Sequence, residues 1–437
     1  MRKVTPTGLA RDLQMRQQEN NPIKIGLIGC GEMGTDIVVR TANMDGVTVV
    51  AIADHKPKSA MAALEYAYNT DVRSKITSTA SEVNQAIENG SVAITEDPIN
   101  VIQSDLVDVI IEATGIPNVG AEFGVKSIEQ GKHLVMMNVE ADVTIGPVLK
   151  KLADDHGVIY SLGAGDEPSA CMELIEFATA MGHKIVAAGK GKNNPLRFDA
   201  NPKDYEEEAF ARNMNPRMLV EFVEGSKTMV EMAAIANATG LVPDVPGMHG
   251  PNVGPDELAK VLIPKEHGGI LSASGCVDFS VGKGIAPGVF VIIEAEHPRI
   301  LERMKDLKMG EGPFFSLIRP YHLTSLEVPL TCARAVLYNK ADMFPNPVPS
   351  AEVCAVAKKD LVQGEILGQI GEYGYRAVTY RADEAREEKA IPCGLLENAK
   401  VTKPIKKGSL ITAHNVDYDQ GSYIAKLRAK QDKLTGL

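Results

Sequence analysis

The stretch that decides the fold is Ile-Lys-Ile-Gly-Leu-Ile-Gly-Cys-Gly-Glu-Met-Gly, residues 23–34. Its apolar first half predicts a buried strand, and Gly29, Gly31 and Gly34 then stand at the G-x-G-x-x-G spacing of a dinucleotide-binding turn. The first glycine permits the tight turn, the second lets the backbone approach a pyrophosphate, and the third lets the next helix lie close to the strand. An ordinary strand-turn-helix with incidental glycines is the competing interpretation.

The following residues favour the dinucleotide interpretation. A second apolar run, 47–53, ends at Asp54, at the usual distance for an acid that accepts a hydrogen bond from the adenosine ribose. Asp54 alone favours NAD, because its charge repels a 2′-phosphate, whereas His55 and Lys56 could hold that phosphate. We therefore expect NADP(H), with NAD as the alternative. The residues expected to contact the cofactor are Gly29, Gly31, Glu32, Met33, Gly34, Asp54, His55, Lys56, Thr114, Gly115 and Asn138.

Composition narrows the class of protein. The 437 residues suffice for two or three domains, and 44% hydrophobic with 24% charged residues is typical of a soluble globular chain. The net charge of -11 argues against a nucleic-acid surface. No apolar run has the roughly 18 residues of a membrane span, no secretory signal is visible, and the six cysteines form no C-x-x-C pair. We expect a cytoplasmic protein with reduced thiols.

Apolar runs alternate with helical patterns up to about residue 161, which predicts the α/β class with a Rossmann doubly wound sheet. Ligands of such sheets bind outside the carboxyl ends of the strands. The loops expected to contact a ligand are therefore 29–34, 113–117, 138–142 and 163–168. The predicted domains are an N-terminal arm (1–21), a dinucleotide-binding Rossmann domain (22–161), a central α+β catalytic and dimerisation domain (162–345) and a small β-rich domain (346–437).

Two acids open the central domain. Asp166 and Glu167 stand at a predicted helix start, where Asp166 can cap the helix and Pro168 fits the first turn. Two interpretations of these acids remain open. In one they only cap the helix. In the other they also face the reacting end of the cofactor, as a base or as metal ligands.

The segment 189–194, Gly-Lys-Gly-Lys-Asn-Asn, follows a predicted strand. Lysines supply positive charge and asparagine amides supply donors, so Lys190, Lys192, Asn193 and Asn194 could hold a phosphate or carboxylate, with Lys203 joining them. A solvated basic turn is the alternative.

Three further residues are candidate substrate contacts, although no motif surrounds them. Lys227 lies beside a helix start at which Ser226 is the expected N-cap, and it is either a substrate contact or a surface charge. Arg319 and His322 follow a predicted strand and could contact an anionic substrate or belong to an interface network. Short β runs after the proline-rich segment 345–349, including 410–412, mark the last domain.

Residues 23 to about 240 resemble the homoserine dehydrogenase superfamily through the glycine turn, Glu112-Ala113-Thr114-Gly115, Met136-Met137-Asn138 and the helix after Gly225. One departure is that the Ala-Asn-Lys triplet of homoserine dehydrogenases is replaced by Met137-Asn138-Val139-Glu140. The missing lysine argues against homoserine as substrate. The segment 350–417 resembles a SAF domain, which is a β-clip.

Together with Arg319-Pro320-Tyr321-His322-Leu323, these features resemble the 1-deoxy-D-xylulose 5-phosphate reductoisomerase-like family. The resemblance implies NADPH-dependent conversion of that sugar phosphate to 2-C-methyl-D-erythritol 4-phosphate in isoprenoid precursor synthesis. It further implies a phosphate site, a base and a divalent metal such as Mg or Mn. We assign the phosphate to Lys190, Lys192 and Asn194, and metal or proton work to Asp166 and Glu167. The acid Glu140 and the cations Lys203 and Lys227 are further substrate-site candidates.

Two other functions remain open. One is a plain NAD(P)-dependent dehydrogenase of a sugar acid or semialdehyde, in which no carbon skeleton moves. The other is a cofactor-binding sensor without enzyme activity. We expect a homodimer or higher homo-oligomer that binds neither nucleic acid nor membrane. Its substrate is expected to be small, anionic and phosphorylated.

Overall fold

The structure is a computed structural model that describes residues 4–68, 73–194, 196–212 and 214–436. It divides into two compact units: the first comprises 1–166 and 323–344, and the second comprises 167–322 and 345–437. The segment 323–344 thus belongs with the amino-terminal residues, whereas the predicted bounds placed it in the central domain. The predicted division of the chain into an N-terminal arm and three domains stays a prediction.

The first unit is an alternation of strands and helices. Its elements up to residue 162 are α1 (Gly8–Gln18), β1 (Ile23–Ile28), α2 (Glu32–Thr41), β2 (Val47–Ala53), α3 (Pro57–Tyr68), β3 (Ser74–Ile76), α4 (Ala80–Glu88), β4 (Val92–Thr95), α5 (Pro98–Ile102), β5 (Val109–Glu112), α6 (Pro117–Glu129), β6 (His133–Met136), α7 (Val139–His156) and β7 (Tyr160–Leu162).

These strands form one parallel sheet of seven strands in the order β3-β4-β2-β1-β5-β6-β7. The predicted α/β class with a Rossmann sheet is confirmed. Ile28 is level with Ala53 on one side and with Glu112 on the other, so β1, β2 and β5 end at the same edge. The helix after the glycine turn begins at Glu32, because Gly31 serves as its N-cap.

The second unit begins with a mixed sheet and its helices. The elements from residue 167 to 319 are α8 (Glu167–Ala180), β8 (Lys184–Gly191), α9 (Glu206–Ala211), α10 (Pro216–Glu224), α11 (Ser226–Thr239), β9 (Val242–Pro243), α12 (Leu258–Val261), β10 (Cys276–Ser280), β11 (Val289–Glu294), α13 (Pro298–Asp306) and β12 (Phe314–Arg319).

The last elements are split between the units. Helix α14 (Val328–Tyr338) lies in the first unit and packs on β1, β5 and β6, while the remainder lies in the second unit. That remainder consists of β13 (Ala351–Ala357), β14 (Tyr375–Arg381), α15 (Ala382–Glu387), β15 (Lys400–Val401), β16 (Val416–Asp417) and α16 (Tyr423–Thr435).

Strand β8 is the centre of the five-stranded sheet of the second unit, whose order is β12-β11-β8-β10-β9. β10 runs parallel to β8, and β11 runs antiparallel to it. Helices α8 and α11 pack against this sheet. An apolar core that includes Val186, Phe290 and Ile292 holds the strands together. The central position of β8 means that side chains near its end, at Lys190, are buried by neighbouring elements.

Two local predictions of the sequence analysis are wrong. Residues 410–412 do not form a strand, because Leu410 bridges Val356 and Thr412 bridges Ala390, which are single pairs with different partners. Ser226 is not the N-cap of α11. Gly225 holds that position in a left-handed conformation, and the Ser226 hydroxyl donates to Glu224 instead. In the part of the chain that the structure describes, no helix is long and apolar enough to cross a membrane.

Candidate functional site

The glycine turn of the first unit has the geometry of a dinucleotide-binding turn. Gly29 has a φ of +93°, and a Cβ atom there would lie 2.7 Å from the carbonyl oxygen of Ala113. A Cβ at Gly34 would lie 2.3 Å from the carbonyl oxygen of Gly29, so α2 approaches the turn as closely as only glycine permits. A Cβ at Gly31 would meet nothing within 4 Å. The turn therefore offers open space beside a helix N-terminus, which suits the diphosphate of a dinucleotide.

Asp54 connects the end of β2 to this turn. One carboxylate oxygen accepts from the Cys30 backbone N–H at 2.8 Å, and the other accepts from the Lys56 backbone N–H, also at 2.8 Å. The His55 ring nitrogen Nδ1 lies 3.3 Å from Asp54, while the His55 side chain is largely exposed. Asp54 thus fixes the turn through the backbone, and its expected contact with the ribose stays a prediction.

A second carboxylate supports the loop after β5. One oxygen of Glu112 accepts the Thr114 backbone N–H at 2.9 Å and also the Thr114 hydroxyl. Burial raises the pKa of Glu112 to about 7, against the lowering effect of these hydrogen bonds. Gly115 follows with a φ of +67° and open space around it. Thr114 and Gly115 therefore lie at the sheet edge where the cofactor is expected.

Helix α7 begins beside this loop. Asn138 is its N-cap and accepts the Ala141 N–H at 3.1 Å, and Glu140 stands half-buried in the first turn. Asp142 is buried and accepts a hydrogen bond of 2.6 Å from the Tyr160 hydroxyl. Burial raises the pKa of Asp142 to about 7. The first unit therefore buries two carboxyl groups near one edge of its sheet.

The second unit contains a lysine between two carboxylates. Lys190, near the end of β8, donates to Glu167, the first residue of α8, at 2.5 Å and also to Glu231 on α11. Burial alone would lower the pKa of Lys190, but the attraction of Glu167 and Glu231 raises it above its ordinary value. His322 Nδ1 lies 3.7 Å from Glu167 in the same cluster. We call Lys190, Glu167, Glu231 and His322 the lysine cluster.

Lys192 has a different environment. Its side chain is buried and its ammonium group donates to the Phe222 carbonyl oxygen. Within the described residues it forms no ion pair with a carboxylate. Burial, followed by the repulsion of the Lys190 ammonium, lowers the pKa of Lys192 to about 8. A lysine with this pKa is present in both protonation states near neutrality, as acid–base catalysis requires.

Several predicted site residues lie elsewhere in the second unit. Arg319 donates to Glu173 of α8 at 3.0 Å, and its guanidinium group lies over the Tyr321 ring. Lys227 lies half-buried in the first turn of α11. Three more positions follow in the loop beyond β8: Asn193 is exposed, Asn194 is half-exposed and Lys203 is exposed in the helical turn Pro202–Tyr205.

The contacts of Lys190 concern two predicted sites, namely the anion site at Lys190 and the metal site at Asp166 and Glu167. Lys190 donates to two carboxylates, and its predicted contact with a substrate phosphate stays a prediction. The Lys190 ammonium also occupies the cation position beside Glu167, and Asp166 is the last residue of the first unit. A metal ion at Asp166 and Glu167 stays a prediction.

Two buried acids were missed as site residues. Glu231 lies within the apolar run 229–236 of α11, and Glu112 ends an apolar strand. In each case the signal was a single carboxylate in an otherwise apolar element, which needs a buried hydrogen-bond or ion-pair partner. The sequence did not identify that partner, because Lys190 and Glu231 are far apart along the chain.

Two family models match the chain. The model described as "Homoserine dehydrogenase, NAD binding domain" matches residues 29–163, and the model described as "Oxidoreductase DRL, catalytic domain" matches residues 165–328. The first match covers the glycine turn and the Glu112 loop. The second covers the lysine cluster and Lys192. The comparison with curated proteins found no match.

Solved structures are similar only at a low level. An NAD-binding oxidoreductase from Klebsiella pneumoniae is 18% identical with a TM-score of 0.30, over 41% of this chain and 45% of its own. A probable dehydrogenase from Thermotoga maritima is 13% identical with a TM-score of 0.38, over 73% and 90%. The WlbA dehydrogenase from Bordetella pertussis, in complex with NADH and UDP-GlcNAcA, is 17% identical with a TM-score of 0.29, over 47% and 55%. The chain thus spans about half the length of two of these proteins.

The expected membership of the 1-deoxy-D-xylulose 5-phosphate reductoisomerase-like family is wrong on these comparisons. The matching models are those of a homoserine dehydrogenase NAD-binding domain and of oxidoreductase DRL, not of a reductoisomerase or a SAF domain. The SAF assignment of the carboxyl-terminal segment and the expected isoprenoid reaction are withdrawn with it. The homoserine dehydrogenase type of the nucleotide-binding domain is supported.

Proposed function

We propose that this chain is an NAD(P)-dependent dehydrogenase that interconverts a hydroxyl and a carbonyl group of a small anionic substrate, such as a sugar acid or semialdehyde. The observation that carries the proposal is Lys192, a buried lysine beside a second, charge-balanced lysine in the segment that matches an oxidoreductase catalytic domain. Alcohol oxidation needs one group that removes the hydroxyl proton, and Lys192 has the properties of that group.

The first unit supports the cofactor assignment. The open space at Gly31, the start of α2 and the match to an NAD-binding domain all fit a nicotinamide dinucleotide. When bound, that cofactor supplies the hydride acceptor or donor. We propose NADP(H), with NAD as the alternative, because the exposed His55 and the neighbouring Lys56 can hold a 2′-phosphate near Asp54.

The proton work falls to Lys192 rather than to Lys190. A general base acts well when its pKa lies near the working pH, which is true of Lys192 and not of Lys190, whose pKa is raised by its two carboxylates. In oxidation the neutral Lys192 amine takes the hydroxyl proton. In reduction the Lys192 ammonium group returns it to the carbonyl oxygen.

The lysine cluster has a positioning role in this proposal. Glu167 and Glu231 fix the Lys190 ammonium, and the positive charge of that group keeps the pKa of Lys192 low. His322, which lies beside Glu167, is a candidate substrate contact. The cationic groups Arg319 and Lys227 of the same unit could hold the carboxylate of the substrate. We also propose a cytoplasmic homodimer, as expected from the sequence.

The test is a steady-state assay with a panel of sugar acids and semialdehydes, each with NADP(H) and NAD(H). Replacing Lys192 by Met should lower kcat about a hundredfold or more on any substrate that the wild-type protein turns over. Lys192→Arg keeps the charge but cannot act as a base, so it should lose activity to a similar degree.

Lys203→Met is the matched control, because Lys203 is an exposed lysine of the same segment. It should affect KM at most and leave kcat near the wild-type value. Full activity of both Lys192 variants would contradict the assignment, and failure of every substrate with both cofactors would contradict the dehydrogenase proposal.

A further inference from the structure

Glu112 has a buried carboxylate with two unlike oxygens. One oxygen accepts both hydrogen bonds from Thr114, and the other, Oε2, makes none. The amide nitrogen Nδ2 of Asn138 is also buried without a hydrogen bond. A Cβ atom at Gly120 would lie 2.8 Å from Glu112 Oε2 and 3.0 Å from Asn138 Nδ2. The acceptor and the donor therefore both face the same point on α6, where only glycine leaves room.

No cation compensates this carboxylate among the residues that the structure describes, since Glu112 has no ion pair there. The titratable groups coupled to it are Glu140 from α7, which raises its pKa, and Tyr160 from β7, whose own pKa is raised by Glu112; Asp142 from α7 accepts from Tyr160. None of the three is a cation. The hydrogen bonds from Thr114, together with the side-chain amide of Asn138 that faces Oε2, are thus what stabilises a negative charge on Glu112.

The Thr114 loop touches the glycine turn. The nearest atoms to a Cβ at Gly29 would be Ala113 O at 2.7 Å and Thr114 N at 2.9 Å. Since Thr114 N is the atom that donates to Glu112, the carboxylate fixes the loop directly where it abuts the turn. A change at Glu112 therefore has a short path to the backbone that is expected to receive the cofactor.

We propose that Glu112 is a positioning residue for cofactor binding: its ionised carboxylate holds the loop 113–117 against the glycine turn, and protonation of that carboxylate weakens nicotinamide dinucleotide binding. The inference rests on the proposed function, because it requires that the first unit binds this cofactor. Glu112 itself need not touch the cofactor.

The ionised form is the one that its surroundings match. A proton on Oε2 would place an O–H donor against the Asn138 amide, which is itself a donor, and would weaken the acceptance from Thr114. Since the pKa of Glu112 is raised to about 7, its charge is lost on mild acidification. Cofactor affinity should consequently increase as the pH rises through 7.

The experiment is a fluorescence titration of the full chain with NADPH and with NADH between pH 6 and pH 8.5. The wild-type dissociation constant should fall about tenfold from pH 6 to pH 8, as expected when hydrogen bonds to a charged group are restored. Glu112→Gln should bind about tenfold more weakly than wild type at pH 8 and show no such pH dependence. Glu122→Gln, which removes a half-exposed carboxylate of α6 that is paired with Lys126, is the matched control and should follow the wild-type curve.

Thr114→Val provides a second test that does not depend on the stability of the Glu112 variant. It removes the hydroxyl donor that lowers the pKa of Glu112, so the pH midpoint of binding should move upward. A Glu112→Gln protein that is folded by circular dichroism and retains the wild-type pH curve would overturn the inference, as would an unmoved midpoint in Thr114→Val. Absence of binding by the wild-type protein would overturn the proposed function itself.

Discussion

The two units bury ionisable side chains in opposite ways. In the second unit, Lys190 lies between Glu167 and Glu231, so each buried charge has a counterion. In the first unit, Glu112 and Asp142 are buried with hydrogen-bond donors but without a cation among the described residues. The pKa of Lys190 is consequently raised, which keeps it charged, whereas Glu112 and Asp142 have pKa values of about 7 and become neutral on acidification.

This difference separates buried groups that keep their charge from buried groups that change charge near neutral pH. A buried ion pair holds its charge across the physiological pH range, which suits a positioning role. A buried group with hydrogen bonds alone changes charge near neutrality, which suits proton transfer or pH sensitivity. Lys192 belongs to the second type, although it lies in the same unit as the lysine cluster.

The largest expected effect comes from removing the cation of the lysine cluster. Lys190→Met leaves two buried carboxylates without their cation, so the free energy of unfolding at pH 8 should fall by about 3–5 kcal/mol. Urea denaturation at pH 8 measures this.

Lys184→Met is the control for that variant, because Lys184 lies on the same strand as Lys190 and forms an exposed ion pair with Glu296. It should leave the unfolding midpoint unchanged. A Lys190→Met protein as stable as Lys184→Met at pH 8 would show that the buried cluster has no such dependence on its cation.

The next effect concerns the unpaired carboxyl groups. Because the pKa of Asp142 is raised from 3.8 to about 7 on folding, its stabilising contribution is complete below pH 3.8 and is lost as the pH rises to about 7. The loss is at most about 4 kcal/mol. Asp142→Asn cannot ionise, so its unfolding free energy should fall less between pH 4 and pH 7.5 than that of the wild-type protein.

Part of the fall should remain in Asp142→Asn, because Glu112 contributes with the same sign. Asp155→Asn changes an exposed acid on the same helix, which is paired with Lys151, and should retain the full wild-type fall. Identical pH profiles for Asp142→Asn and wild type would refute the assignment to Asp142.

A third effect is expected in the pH dependence of catalysis. If Lys192 is the base, kcat for oxidation should rise about tenfold per pH unit below pH 8 and level off above it, because the neutral amine is the active form. The reduction rate should show the opposite slope. Nicotinamide absorbance assays in both directions test this, and slopes of the same sign would exclude Lys192 as the proton-transfer group.

The smallest effect is expected for the hydrogen bond between Tyr160 and Asp142. Tyr160→Phe leaves a buried carboxylate oxygen without its donor, which should cost about 1–3 kcal/mol of unfolding free energy at pH 8. Tyr338→Phe removes a hydroxyl that donates to the exposed Asp12, and it should have a clearly smaller effect. Equal losses in the two variants, measured by urea denaturation, would mean that burial of the acceptor does not matter here.

Much of the first unit could be predicted from the sequence. Strand β2 has the predicted bounds, and Gly29, Gly31 and Gly34 have the local environments that their spacing indicates. Such features depend on contacts within a few residues, or on the steric limits of glycine, and are therefore visible in a single sequence. The matched NAD-binding model covers the same stretch.

The partners of buried charges were not predictable in this way. Lys190 was expected to hold a substrate anion with Lys192, yet it pairs with Glu167 and with Glu231, a residue taken to be part of an apolar helix. The predicted membership of the reductoisomerase-like family was also wrong, because proteins with a shared scaffold can catalyse different reactions.

The sequence by itself determined that an apolar strand, three spaced glycines and a following helix form a nucleotide-binding turn, since each of these follows from local sterics and apolar periodicity. Only the tertiary structure decided which buried charges are balanced. That outcome depends on β8, α8 and α11 bringing distant side chains within hydrogen-bonding distance, and on the absence of any described cation beside Glu112. Charge pairing across a fold is a long-range property, and it is this pairing that distinguishes the fixed lysine from the groups able to exchange protons near neutral pH.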